Sequence, residues 1–185
     1  MTDTQRADAQ RNRARILQVA FAAFADDPDI SLNAIAKRAG VGPGTLYRHF
    51  PTREALLLAV YREEIDSLAG SVGRLLDEQA PLDAFCSWAR KLAELTRVKH
   101  GLGEALASPS AQAVIDATYG PVTAAIGQLL EAAEARGDIR TGVDPGDVLL
   151  LLSALWRVPK GDAGLLQADR ILDMIVGSLK NSPQG

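Results

Sequence analysis

The side chains able to do chemistry in this 185-residue chain do not gather into a catalytic set. Asp116, Glu104 and His100 stand at no spacing that pairs a nucleophile with a base, or one carboxylate with another. His49 and His100 are far apart and have no cysteine nearby, so no metal constellation is expected. Cys86 is the single cysteine, which excludes an intramolecular disulfide and any Cys-rich zinc site; it reads as a small apolar residue. No catalytic residue, cofactor or metal is expected. What remains is the stretch 31–50, where small, hydroxyl-bearing and cationic residues lie close together: Pro43, Gly44, Thr45 and Arg48, with Tyr47 at the edge. Their hydroxyls and guanidinium can hydrogen-bond to phosphates and base edges, while Pro43 offers only apolar contact.

Positioning them requires short, tightly joined helices. Residues 11–25 carry Ile16, Val19, Ala20, Ala23 and Phe24 at helical spacing, ended by Asp26-Asp27-Pro28-Asp29. Ser31 offers an N-cap to a second helix whose Leu32, Ile35 and Ala36 face inward. Gly40 suits the left-handed conformation that closes it. Gly42 and Pro43 then read as N-cap and first residue of a third helix, anchored by Leu46 and Phe50 and closed by Pro51. Thr52 caps a fourth and longer helix, striped by Leu56, Val60, Ile65, Leu68, Val72 and Leu75. Two short helices joined by a Gly turn, the second with a polar outer face, are a helix-turn-helix.

Charge agrees with a polyanion at one end. The net charge is −3, but residues 1–53 hold eight Lys/Arg against five Asp/Glu, a net +3, and the remainder holds twelve against eighteen, a net −6. The apolar fraction of 47% supports a packed core, and Ala and Leu supply most of it. No apolar run, Val148 to Leu152 included, approaches the roughly 20 residues that cross a bilayer. The N-terminus lacks the apolar segment of a secretory signal, so a cytoplasmic protein without a membrane partner is expected.

The segment Ser31-Leu32-Asn33-Ala34-Ile35-Ala36-Lys37-Arg38-Ala39-Gly40-Val41-Gly42-Pro43-Gly44-Thr45-Leu46-Tyr47-Arg48-His49-Phe50, followed by Arg53-Glu54-Ala55-Leu56, resembles the N-terminal signature of TetR-family transcription regulators. The resemblance covers about residues 11 to 60 and implies a sequence-specific DNA-binding regulator, not an enzyme. It implies that Thr45 meets a thymine methyl and Arg48 a guanine edge, with Pro43 leading the recognition helix beside Gly44. Tyr47, His49 and Arg53 are implied to hold phosphates, and Ser31, Asn33 and Lys37 to reach the backbone or a base edge. Arg11 and Arg13, read as preceding the first helix, would act as an arm. One departure is Gly42, where the family commonly has Ser; that hydroxyl cap and its phosphate contact are lost.

The fold expected is all-α: a DNA-binding domain at 1–53, joined through the long fourth helix to a helical domain at 54–185. Further helices are expected at about 82–99, 102–107, 109–136 (interrupted or kinked at Gly120-Pro121), 144–157 and 163–180. Phe85, Trp88, Leu92, Leu95, Leu102, Leu106, Tyr119, Val122 and Ile126 are the candidates to line an effector cavity. Leu149, Leu152, Leu155, Trp156, Leu172, Ile175, Val176 and Leu179 lie on the last two helices, which the resemblance implies pack against those of a second subunit as a four-helix bundle. The partners expected are double-stranded, palindromic operator DNA, a second copy of the chain, and a small apolar or amphipathic effector that releases a repressor from its operator. The alternative is a DNA-binding dimer whose C-terminal domain only dimerises.

Overall fold

The computed structural model describes residues 3–27, 29–100, 109–159 and 161–181. Its elements are α1 (Asp3–Asp26), α2 (Leu32–Arg38), α3 (Pro43–His49), α4 (Arg53–Gly70), α5 (Val72–Glu78), α6 (Pro81–His100), α7 (Pro109–Ala135), α8 (Pro145–Leu152), a 3₁₀ turn (Ser153–Arg157) and α9 (Asp162–Leu179). No strand occurs among the described residues, so the protein is all-α as expected. The chain forms two compact units: residues 1–64 with 98–114, and residues 65–97 with 115–185. The short helix expected at 102–107, with Leu102 and Leu106, lies outside the described residues.

In the first unit, α1, α2, α3 and the start of α4 close on one core. Ile16, Leu17, Ala20 and Phe24 from α1 meet Ile35 and Ala36 from α2, Leu46 and Phe50 from α3, and Leu56 and Val60 from α4. The helix ends are built as the local sequence demands. The Ser31 hydroxyl accepts from the Ala34 N–H at 3.2 Å, and the Thr52 hydroxyl from Ala55 N–H at 3.1 Å. Gly40 has φ +63°, a conformation open to glycine at little cost. The first helix begins at Asp3, about two turns before the expected start. Its leading residues lack an apolar stripe but are mostly helix-favouring Ala, Gln and Arg, and an Arg11–Asp8 ion pair supports them at i, i+3.

In the second unit the long fourth helix proves to be two. The Leu68 carbonyl accepts from the Ser71 N–H at 3.1 Å, the Ser71 hydroxyl at 2.7 Å and the Trp88 indole N–H at 2.9 Å. Three donors crowd one carbonyl and draw it out of the α-helical ladder, so α4 stops at Gly70 and α5 starts at Val72. α7, in contrast, runs through Pro121 without interruption, although the proline gives no N–H to the Ala117 carbonyl four residues before it. Asp144 caps α8 through bonds to the N–H groups of Gly146 (2.7 Å) and Asp147 (3.1 Å), with Pro145 at the first position. Phe85, Trp88 and Ala89 from α6 are buried, as are Val122, Ile126 and Leu129 from α7, Leu149 and Leu152 from α8, and Leu172 and Leu179 from α9.

Candidate nucleic-acid interface

The element expected to read DNA is α3. Gly42 precedes it in extended conformation, φ −66° and ψ 147°, with no side-chain cap. Its carbonyl receives the N–H groups of Thr45 (2.9 Å) and Leu46 (3.2 Å), which starts the helix. A Cβ on Gly42 would find its nearest atom, the Thr45 hydroxyl, 4.0 Å away, so the serine common at this position would fit. Leu46 and Phe50 are buried and fix the inner face. On the outside, Pro43, Gly44, Tyr47 and Arg48 are exposed and Thr45 is half-buried. α2 adds Asn33 and Lys37, both exposed, while the Ser31 hydroxyl is committed as an acceptor to its own helix.

Electrostatically this surface has one sign. Residues 31–50 include Lys37, Arg38 and Arg48 and no Asp or Glu. Among the described residues neither Lys37 nor Arg48 has an ion-pair partner, so both charges are available to an anion. His49 is half-buried, its ring 6.2 Å from that of Phe50 and tilted by 44°.

Three arginines take places the sequence does not reveal. Arg11 and Arg13 belong to α1 itself, so the expected arm ahead of the first helix is replaced by helix. Arg11 pairs with Asp8, whereas Arg13 lies 5.7 Å over the Phe50 ring and 3.8 Å from the Glu63 carboxylate. Arg53 is turned inward: its guanidinium sits 4.9 Å over the Phe24 ring and donates to the Ile30 carbonyl at 3.5 Å. Both rings belong to the first core, so Arg13 and Arg53 brace α3 and α4 by cation–π contact.

The residues expected to line a cavity divide. Phe85, Trp88, Leu92, Leu95, Val122 and Ile126 are buried. Tyr119 is 56% exposed. The expected dimer residues divide differently. Leu149, Leu152, Leu155, Leu172, Ile175, Val176 and Leu179 are buried within one chain, so that stripe marks the inner faces of α8 and α9; the side chain of Trp156 lies outside the described residues. The apolar groups left outside on the same helices are Leu150 (73% exposed), Leu151, Leu165, Leu166 and Met174 (67%). No described helix is long and apolar enough to cross a membrane, and no described cluster of His, Cys, Asp and Glu could hold a metal. Cys86 is half-buried; burial pushes its thiol up, Arg90 pulls it down, and Asp83 and Asp173 push it up further. It is a poor nucleophile at neutral pH.

Comparison with known proteins gives two family matches. Residues 16–60 match "Bacterial regulatory proteins, tetR family". Residues 80–181, more than half of the chain, match "Transcriptional regulator SbtR-like, C-terminal domain". A TetR transcriptional regulator of Streptomyces coelicolor is 34% identical over 92% of this chain and 99% of that one, with a TM-score of 0.77. A TetR transcription regulatory protein of Mycobacterium vanbaalenii is 32% identical over 96% and 99%, with a TM-score of 0.73. An HTH-type transcriptional regulator of Staphylococcus aureus (strain USA300) is 43% identical over 63 residues, which span 33% of this chain and 34% of that protein. That last match therefore covers about a third of each.

Proposed function

The chain belongs to the TetR family of transcriptional regulators, and from this premise we propose that it binds a palindromic operator as a cytoplasmic homodimer and represses transcription until an apolar or amphipathic small molecule releases it. The observation that carries the DNA-binding part is α3: its inner face is anchored by Leu46 and Phe50, and its outer face is exposed in a segment free of carboxylates. In this reading residues 1–53 bind DNA and 54–185 dimerise and sense. Thr45 and Arg48 read base edges, with Pro43 and Gly44 permitting close approach to the groove. Tyr47, His49, Asn33 and Lys37 hold phosphates, Ser31 caps the helix that presents them, and Arg11 adds to the attraction from α1.

Dimerisation in this proposal uses Leu150, Leu151, Leu165, Leu166 and Met174, which would otherwise leave apolar surface in water. Two copies related by a two-fold axis present two α3 helices to two half-sites, which is why the operator is palindromic. Selection of bound sequences from a random duplex pool by the full chain tests this directly. A two-fold symmetric consensus is expected, and recovery of no consensus overturns the reading. In that consensus Arg48→Ala relaxes preference at one base pair by about 1–3 kcal/mol, measured by competition between matched and mismatched duplexes.

A second reading has one observation in its favour. Phe85, Trp88 and Ile126 are each 0% exposed, as in a filled core, and a filled core suits a domain that only dimerises. A thermal-shift screen of apolar metabolites separates the two. A saturable rise in Tm supports an effector, because a ligand binding only the folded state stabilises it. Uniformly flat responses favour dimerisation alone.

A further inference from the structure

We propose that Arg15 of α1 is a phosphate-binding residue of the operator interface, acting from beside the helix-turn-helix turn; this deepens the DNA-binding reading above and rests on it. A Cβ built on Gly40 would lie 2.2 Å from the Arg15 Nη2 and 3.4 Å from its Cζ. The guanidinium therefore rests on the turn that joins α2 to α3, in space that only a glycine leaves open. It is exposed, and among the described residues it has no ion-pair or hydrogen-bond partner. The backbone there does not need it: Gly40 N–H is bonded to the Lys37 carbonyl at 3.1 Å, and Val41 N–H to the Ala36 carbonyl at 3.0 Å.

The placement collects like charge. Lys37 and Arg38 stand in the last turn of α2, immediately before this turn in the chain. A third cation without a carboxylate opposes them unless a polyanion arrives. In a docked helix-turn-helix the recognition helix enters the major groove while the preceding helix crosses the sugar-phosphate backbone. A group resting on the turn between those helices faces that backbone, and a guanidinium fork matches two phosphate oxygens. The competing role is structural, since a cation near the C-terminal end of α2 also meets its helix dipole.

The two roles part in measurement. The full chain and its Arg15→Ala and Arg15→Lys variants are titrated by fluorescence anisotropy against a mixed-sequence duplex and against the duplex recovered by selection. Each titration is repeated over a salt series, and Tm is followed by circular dichroism. For Arg15→Ala, affinity for both duplexes falls by a common factor, roughly five- to tenfold at about 0.1 M salt, and the log–log salt slope loses about 0.9. Tm is unchanged, and Arg15→Lys regains most of the loss because the charge returns. Unchanged affinity and slope in Arg15→Ala overturn the assignment while leaving the DNA-binding reading intact. A fall in Tm, or a loss confined to the selected sequence, overturns it in favour of a structural role. A parent chain that binds no duplex overturns both.

Discussion

Gly164, at the start of α9, has no room for any side chain. A Cβ there would sit 1.7 Å from the Pro159 carbonyl oxygen and 2.7 Å from its carbon, so the backbone itself would have to move. Gly164→Ala is expected to cost about 1–3 kcal/mol by overpacking, read as a lower Tm or denaturation midpoint. Gly73→Ala is its control: nothing lies within 4 Å of the added Cβ, and removing a helical glycine gains up to about 1 kcal/mol. Glu64 makes a second prediction at this scale. Burial raises its carboxyl above the ordinary 4.5, and the neighbouring Glu63 raises it further. A raised acid binds its proton more tightly in the folded state, so folding is penalised as pH climbs through the window above 4.5. Glu64→Gln removes that penalty. Its Tm advantage over the parent is present at neutral pH and vanishes below pH 4.5; an advantage constant with pH contradicts the assigned cause.

At the scale of the element, the helix ends follow from near neighbours. Asp144 with Pro145 starts α8 by giving its carboxylate to two backbone N–H groups. Asp144→Ala is expected to cost about 1 kcal/mol, which lowers Tm by about 2–4 °C in a chain of this size. Caps of this kind were legible in the sequence because donor and acceptor lie within three residues: Ser31 and Thr52 both bond as their spacing implies. Elements fixed from afar were not. The division of α4 from α5 depends on the Trp88 indole, which approaches Leu68 from 20 residues away. The start of α1 was hidden for another reason: apolar periodicity detects a helix only where it has a buried face, and none of residues 7–15 is buried. The stacking of Arg13 and Arg53 was not legible in the sequence, because only the folded core brings the rings of Phe50 and Phe24 beneath them.

For the whole molecule, the apolar residues of α8 and α9 carry the proposed assembly. The run Val148–Leu152 is apolar throughout, so the sequence marks it as covered on several sides without saying which side faces its own core. Folding divides it: Val148, Leu149 and Leu152 go inward, and Leu150 and Leu151 remain outside with Leu166 and Met174 of α9. The double variant Leu166→Glu/Met174→Glu is expected to sediment as a folded monomer, with unchanged helical circular dichroism and much weaker binding to a two-half-site duplex. Leu172→Glu, which places a charge in the chain's own core, lowers stability before it alters assembly. A double variant that remains dimeric shows that these side chains do not hold the subunits together. The helix α3 itself was legible in detail, down to the buried pair Leu46 and Phe50, because its anchors are local.

The bond from the Trp88 indole to the Leu68 carbonyl also makes the protein its own optical probe. The ring is wholly buried and its N–H is fixed at 2.9 Å to the last turn of α4, the helix that runs on from the α3 reading head. With Trp156→Phe removing the second indole, the remaining emission reports on that single junction. Any ligand that pulls the end of α4 away from α6 admits water to the ring and shifts its emission to the red. One that merely fills the core leaves the colour unchanged, so a spectrum in dilute solution distinguishes movement from occupancy without a label.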